Sequence, residues 1–197
     1  MIQSLLDLFA SLGLTGVFVL MALESSLVPI PSELVMLPAG ILAAQGVYSP
    51  WLVILIGGLG SLLGAWMNRL LAAYFGKPLL LKYGKYILMP AHKYEYAESL
   101  FLKNANLYTF IGRLLPVVRH LISLPAGIFS MPPIAFSVIT FAGATLWCAI
   151  LTGLGYYFGA PMIHILETHL WELKIAVIIG LLIFGIWFFM RSSKAAK

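Results

Sequence analysis

Apolar residues in this chain come in long blocks. Four of them, Leu5 to Val28, Trp51 to Phe75, Pro133 to Phe158 and Lys174 to Met190, are nearly continuous. A helix needs about 20 apolar residues to cross a hydrocarbon core about 30 Å thick, so each block predicts a membrane-spanning helix. Glu24 lies near the end of the first. Two further stretches are as apolar but too short or too interrupted to cross. Pro29 to Gly46 carries Pro29, Pro31, Pro38 and Gly40, and Phe110 to Met131 carries Pro116, Pro125 and Gly127. Proline removes a helix donor and glycine lowers helix propensity. In lipid, a broken backbone persists only where protein or a water-filled cavity satisfies it. Both stretches are therefore expected to form re-entrant hairpins, over residues 29–46 and 116–131, that enter and leave on one side.

The two broken stretches are copies of each other. PIPSELVMLPAGI at Pro29 to Ile41 and PVVRHLISLPAGI at Pro116 to Ile128 share the leading proline and the pentapeptide LPAGI at a shift of 87 residues. Downstream, AYFGKP at Ala73 to Pro78 matches YYFGAP at Tyr156 to Pro161 at a shift of 83. One gap in the turn after each LPAGI reconciles the two shifts. The chain thus reads as repeat 1 over residues 8–78, a polar insert over 77–106, repeat 2 over 107–161, and a last helix over 174–190.

The insert changes the picture by setting orientation. It holds Lys77, Lys82, Lys85, Lys93 and Lys103 against Glu95 and Glu98, interleaved with Tyr, Leu and Ile. That pattern suggests an amphipathic helix on the membrane surface. Lys and Arg concentrate in cytoplasmic loops, which places 76–106 and the tail with Arg191, Lys194 and Lys197 inside, and the Lys- and Arg-free loop Gly159 to Glu172 outside. The spans at 51–75 and 133–158 then run in opposite directions, so the copies are inverted. Inverted repeats with broken helices near the midplane are a transporter architecture. The expected fold is an all-α membrane protein with two opposed re-entrant helical hairpins.

Composition supports this class. Of 197 residues, 61% are hydrophobic and 10% charged, and mean hydropathy is +0.99, whereas soluble domains carry about 25% charged residues. The single cysteine, Cys148, excludes an internal disulfide or a cysteine-rich metal site. The net charge of +5 lies in flanking loops and inside apolar segments, which argues against nucleic acid. No cleavable signal peptide is expected, because no basic region precedes the first apolar block.

Two motifs carry a resemblance. ESSLVPIPSE from Glu24 gives E-x4-P-x-P-x-E, and Arg113 opens R-x2-P-x2-R-x3-S-x2-A-G-x3-M, followed by Trp147 and the GYxxG of Gly155, Tyr156 and Gly159. Over residues 8–160 the chain resembles the DedA family of membrane proteins, related to the VTT-domain lipid scramblases. The resemblance implies opposed re-entrant hairpins and movement of lipid between leaflets, with members associated with undecaprenyl phosphate recycling, phosphatidylethanolamine movement and proton-motive-force homeostasis. It maps the acidic pair onto Glu24 and Glu33 and the basic pair onto Arg113 and Arg119. Two positions depart from relatives: Ala65 stands where many have an acidic residue, and Arg69 where others have tyrosine. The first weakens the case for a third carboxylate. The second leaves open whether Arg69 snorkels to an interface.

The chemistry follows from the charges. Arginine offers a planar fork of donors that matches phosphate oxygens bidentately, and charged residues inside a membrane mark pathways or binding sites. Arg113, Arg119 and Ser123 are thus the candidate phosphate site, with pairing to Glu24 or Glu33 the structural alternative. A carboxylate in a low-dielectric cavity can exchange a proton within the working pH range, which makes Glu24 and Glu33 candidate ion carriers. His120, at the repeat position of Glu33, joins them as a residue that titrates near neutrality. His164, Glu167 and His169 form H-x2-E-x-H but lack a fourth ligand, so no metal is expected, and no cofactor. The leading expectation is a transporter or flippase for a phosphate-bearing lipid in the cell membrane, coupled to protons or sodium. An ion-coupled exchanger or channel is the alternative, and a lipid phosphatase ranks last for want of a nucleophile with a base. A homo-oligomer remains open.

Overall fold

The computed structural model describes residues 2–26, 31–76, 91–115 and 118–159, with side chains from Ala10 onward in the first segment and from Glu95 onward in the third. All of these belong to one compact unit. The expected helix at 174–190 and the histidines of the outer loop lie outside the described residues.

Every regular element among the described residues is helical. They are α1 (Ile2–Glu24), α2 (Glu33–Ala44), α3 (Pro50–Leu71) with a π-helical turn at Ala72–Gly76, α4 (Ala91–Lys103), α5 (Ala105–Leu114), α6 (Val118–Leu121), α7 (Ser123–Ile128) and α8 (Pro133–Phe158). The long helices appear where the apolar blocks predict them. α3 with its π-turn spans 27 residues and α8 spans 26, each long and apolar enough to cross a membrane. Many of their large side chains face outward, with Trp51, Tyr74, Ile134 and Tyr157 exposed, while Gly57, Gly60, Ser61, Gly64 and Asn68 are buried. Large apolar groups outside and small or polar groups inside is the arrangement of helices packed in lipid.

The first block departs from expectation. α1 stops at Glu24 rather than Val28, and Gly13 breaks it with φ 62° and ψ −164°, a backbone conformation open to glycine alone. The piece after Gly13 is about 16 Å long at 1.5 Å per residue, half a hydrocarbon core. α2 and α5, with 12 and 10 residues, are similarly short. Each of the three brings a charged end to the middle of the bundle.

The LPAGI segments also differ from expectation. α2 continues through Pro38 and Gly40, and α7 through Pro125 and Gly127. Pro125 sits in the first turn of α7, where no intrahelical donor is lost. The glycines serve close approach rather than breakage. A Cβ on Gly40 would lie 2.4 Å from the Thr152 carbonyl oxygen on α8, and one on Gly127 would lie 2.3 Å from the Arg69 carbonyl oxygen on α3. The described breaks lie earlier, at Ser25–Ser26 and Pro31 in the first copy and at Leu115 and Ile122 in the second. Pro29 and Pro116 lie outside the described residues.

α1 packs chiefly on α3, α2 on α8, and α3 on α8, with α5 also against α8. Tyr48, just before α3, donates to the Ala10 carbonyl at 3.4 Å and so brings the outer ends of α1 and α2 together. At the other repeat, Phe101 packs on Phe129 at 5.5 Å. A buried cluster of Ala65, Ala105, Ala126, Met131 and Phe136 fills that end. The amphipathic expectation for the insert falls in part on α4, whose described residues are mostly exposed; residues 77–90 lie outside the description.

Candidate functional site

The charged helix ends meet where α3 crosses α8. Glu24 closes α1 and is 1% exposed; the turn after it is tied to α3 by Asn68, which donates to the Ser25 carbonyl at 3.1 Å. Ser32 and Glu33 open α2, both buried. From the other repeat come Arg113 in the last turn of α5, Arg119 and His120 on α6, and Ser123 at the start of α7. Arg113, Arg119 and Ser123 are buried.

Arg119 forms an ion pair with the Oε1 atom of Glu24. It also donates to Ser32 Oγ at 2.7 Å and lies over the Trp147 ring at 5.3 Å, a cation–π distance. Trp147 in turn donates from Nε1 to Ser32 Oγ at 3.3 Å. The second oxygen of Glu24 accepts from Ser25 Oγ at 2.8 Å, and His120 Nε2 stands 3.8 Å from Oε1. Taking two charges out of water costs several kcal/mol per ion, and these hydrogen bonds are what offset it.

Arg113 is held differently. It donates to Ser123 Oγ at 2.6 Å, its Nε has no partner, and among the described residues no carboxylate pairs with it. Among the described residues the site therefore contains one guanidinium paired with a carboxylate and one that is not. Both line a central cavity with Ser25, Ser61, Ala144 and Trp147, of about 10 Å³ open to the centre of a water molecule, room for a single water. Chemically this is a donor-rich pocket, closed around its own acceptors, with unspent capacity for an anion at Arg113.

The structure thus gathers Glu24, Arg113, Arg119, His120 and Ser123, with Glu33 next to Ser32, where the ends of five helices, α1, α2, α5, α6 and α7, meet. Ser32, Ser25, Asn68 and Trp147 were not assigned roles by sequence reasoning. Ser32 had a readable signal: at a shift of 87 residues it is the repeat counterpart of Arg119, and the two side chains are hydrogen-bonded. Ala65 lies in the apolar cluster beside Met131, so that position contributes no carboxylate. Arg69 is tied down rather than free: it donates to the Met131 carbonyl at 2.6 Å and stacks on Trp66 and Phe136 at 4.7 and 5.3 Å.

Comparison with known proteins agrees with the geometry. A family model, the VTT domain, matches residues 12–157. An uncharacterized membrane protein of Synechocystis is 31% identical over 196 residues, covering 95% of this chain and 87% of the relative. Undecaprenyl phosphate transporter A of Staphylococcus aureus is 29% identical, covering 93% and 94%. An alkaline phosphatase-like protein of Lactococcus lactis is also 29% identical, covering 80% and 76%. No solved structure matches.

Proposed function

The chain belongs to the VTT-domain (DedA) family of membrane proteins, and from that premise we propose that it moves a phosphate-bearing lipid between leaflets, coupled to a proton or sodium gradient. The observation that carries this reading is Arg113, a buried guanidinium that among the described residues bonds to Ser123 and to no carboxylate, and that lines a cavity shared with a second arginine. An uncompensated cation inside a membrane protein is costly, and a lipid phosphate supplies both the missing charge and the fork-shaped acceptor. A relative covering almost the same length is named an undecaprenyl phosphate transporter, which makes a polyprenyl phosphate the first substrate to try and a phospholipid the second.

Mirrored contacts support an inverted arrangement of two re-entrant hairpins. Gly40 against the Thr152 carbonyl and Gly127 against the Arg69 carbonyl are the same pair under the shifts of 87 and 83 residues found in the sequence. In this reading the insert and the C-terminus are cytoplasmic. Ion exchange is the second reading, favoured by the buried Glu24–Arg119 pair, whose two charges can part and re-form without any lipid. Catalysis is not part of the proposal: Ser32 and Ser123 both have their oxygens taken up by arginine donors.

The test is reconstitution into liposomes with leaflet-labelled polyprenyl phosphates and phospholipids. Wild type should move one of them, and Arg113→Lys should lose transport despite keeping its charge, because lysine lacks the fork. A charged hydrogen bond contributes about 1.5–3 kcal/mol, so the loss should be about ten- to a hundredfold. Wild-type transport by Arg113→Lys would overturn the phosphate clamp.

A further inference from the structure

Two kinds of contact hold the arginines, and they differ in what they join. Arg113 and Ser123 both belong to the second repeat, so their bond is internal to it. Arg119 instead reaches across to Glu24 and Ser32 of the first repeat. Any separation of the two repeats at this point leaves the first contact intact and must break the second. Separation is required for an anion to enter, since the cavity between the arginines has room for about one water and a phosphate group is several times larger. On Arg119, Glu24 Oε1 and Ser32 Oγ occupy donor positions that phosphate oxygens would take.

We propose that the Glu24–Arg119 pair is a latch between the two repeats, opened jointly by a phosphate headgroup and a proton. Phosphate oxygens replace Glu24 and Ser32 on Arg119, with Arg113, which pairs with no carboxylate among the described residues, as the anchor. Glu24 is then left buried without its counter-charge, and a proton from solvent adds to its carboxylate. The latch rests on reading these arginines as a phosphate site. The charged and titratable groups around Glu24 are Arg119 and His120 on α6, Arg113 on α5, Glu33 beside Ser32 on α2, and Cys148 on α8 next to Arg119. Only the Glu24 proton is coupled to breaking the pair. Because the bound state carries that extra proton, phosphate binding takes up a proton and strengthens as pH falls.

The experiment is titration calorimetry on the purified full chain in detergent, with farnesyl phosphate and, separately, inorganic phosphate as probes. Measurements at mildly acidic and mildly alkaline pH, in buffers of different ionisation heat, give affinity and protons taken up. The probe's own ionisation contributes equally to every variant, so differences between variants isolate the protein. Glu24→Gln is expected to bind farnesyl phosphate roughly tenfold tighter than wild type at alkaline pH, and to take up about one proton fewer. His120→Asn should keep the wild-type uptake, and Arg113→Ala should lose binding. Should Glu24→Gln fail to fold, Ser32→Ala removes the other half of the latch and should tighten binding several-fold with proton uptake retained. Wild-type affinity and uptake in Glu24→Gln, or no tightening in Ser32→Ala, would overturn the latch while Arg113-dependent binding kept the phosphate site. Uptake lost in His120→Asn instead would overturn it too. Binding of neither probe by wild type would remove the site and the latch together, and equal affinity for the two probes would overturn the lipid assignment alone.

Discussion

Gly40→Ala puts a methyl group where α2 touches α8. A Cβ there would lie 2.4 Å from the Thr152 carbonyl oxygen and 3.1 Å from its carbon. Ordinary carbon–oxygen contact is about 3.4 Å, so the two backbones must part by about 1 Å. Neither atom belongs to a flexible side chain that could swing away. Overpacking of this kind costs about 1–3 kcal/mol, offset by up to about 1 kcal/mol of improved helix propensity. Relative to an alanine substitution with the same propensity gain and no clash, the loss of about 1–3 kcal/mol should lower the thermal midpoint by about 2–12 °C. Gly127→Ala, whose Cβ would sit 2.3 Å from the Arg69 carbonyl oxygen, should behave alike at the second LPAGI segment. Gly153→Ala is the control, because nothing lies within 4 Å of its added Cβ; it should be neutral or slightly stabilising. Tryptophan fluorescence during heating in detergent reads all three. If Gly40→Ala and Gly127→Ala melt with Gly153→Ala, the glycines are not approach points, and the mirrored contacts lose their meaning.

The topology reading expects single cysteines at Lys93 and His164, in a Cys148→Ser background, to react from opposite sides of the membrane; labelling from the same side refutes the inversion. Arg69→Ala should lower stability by about 1.5–3 kcal/mol through the lost charged hydrogen bond to Met131, with Arg69→Lys recovering only part. An unchanged midpoint in Arg69→Ala would return that residue to a snorkelling role.

Much of the architecture was legible because in lipid each helix must satisfy its own backbone groups, so a span is a local property of sequence. α3 and α8 therefore fall where hydropathy put them, α8 to the residue. The internal repeat likewise marked which residues share a role. Local reasoning failed where a neighbour decided the outcome. Pro38, Gly40, Pro125 and Gly127 read as breaks by propensity, yet all four lie inside helices, because the two glycines are required by backbone on the opposite repeat. The true break in the first block, at Gly13, looked like one more small residue in an apolar run.

The site divides in the same way. That two arginines, two glutamates and a histidine sit in apolar surroundings was plain from composition, since the burial cost of charge marks them wherever they occur. Which arginine would be paired was not. Arg113 and Arg119 are equivalent by residue type and both flank Pro116, but only Arg119 reaches Glu24 and Ser32, while Arg113 turns to Ser123, ten residues further along its own segment. That choice depends on differences of a few ångströms between segments far apart in the chain, set by how closely the glycine-bearing helices approach, and no local propensity encodes such a distance.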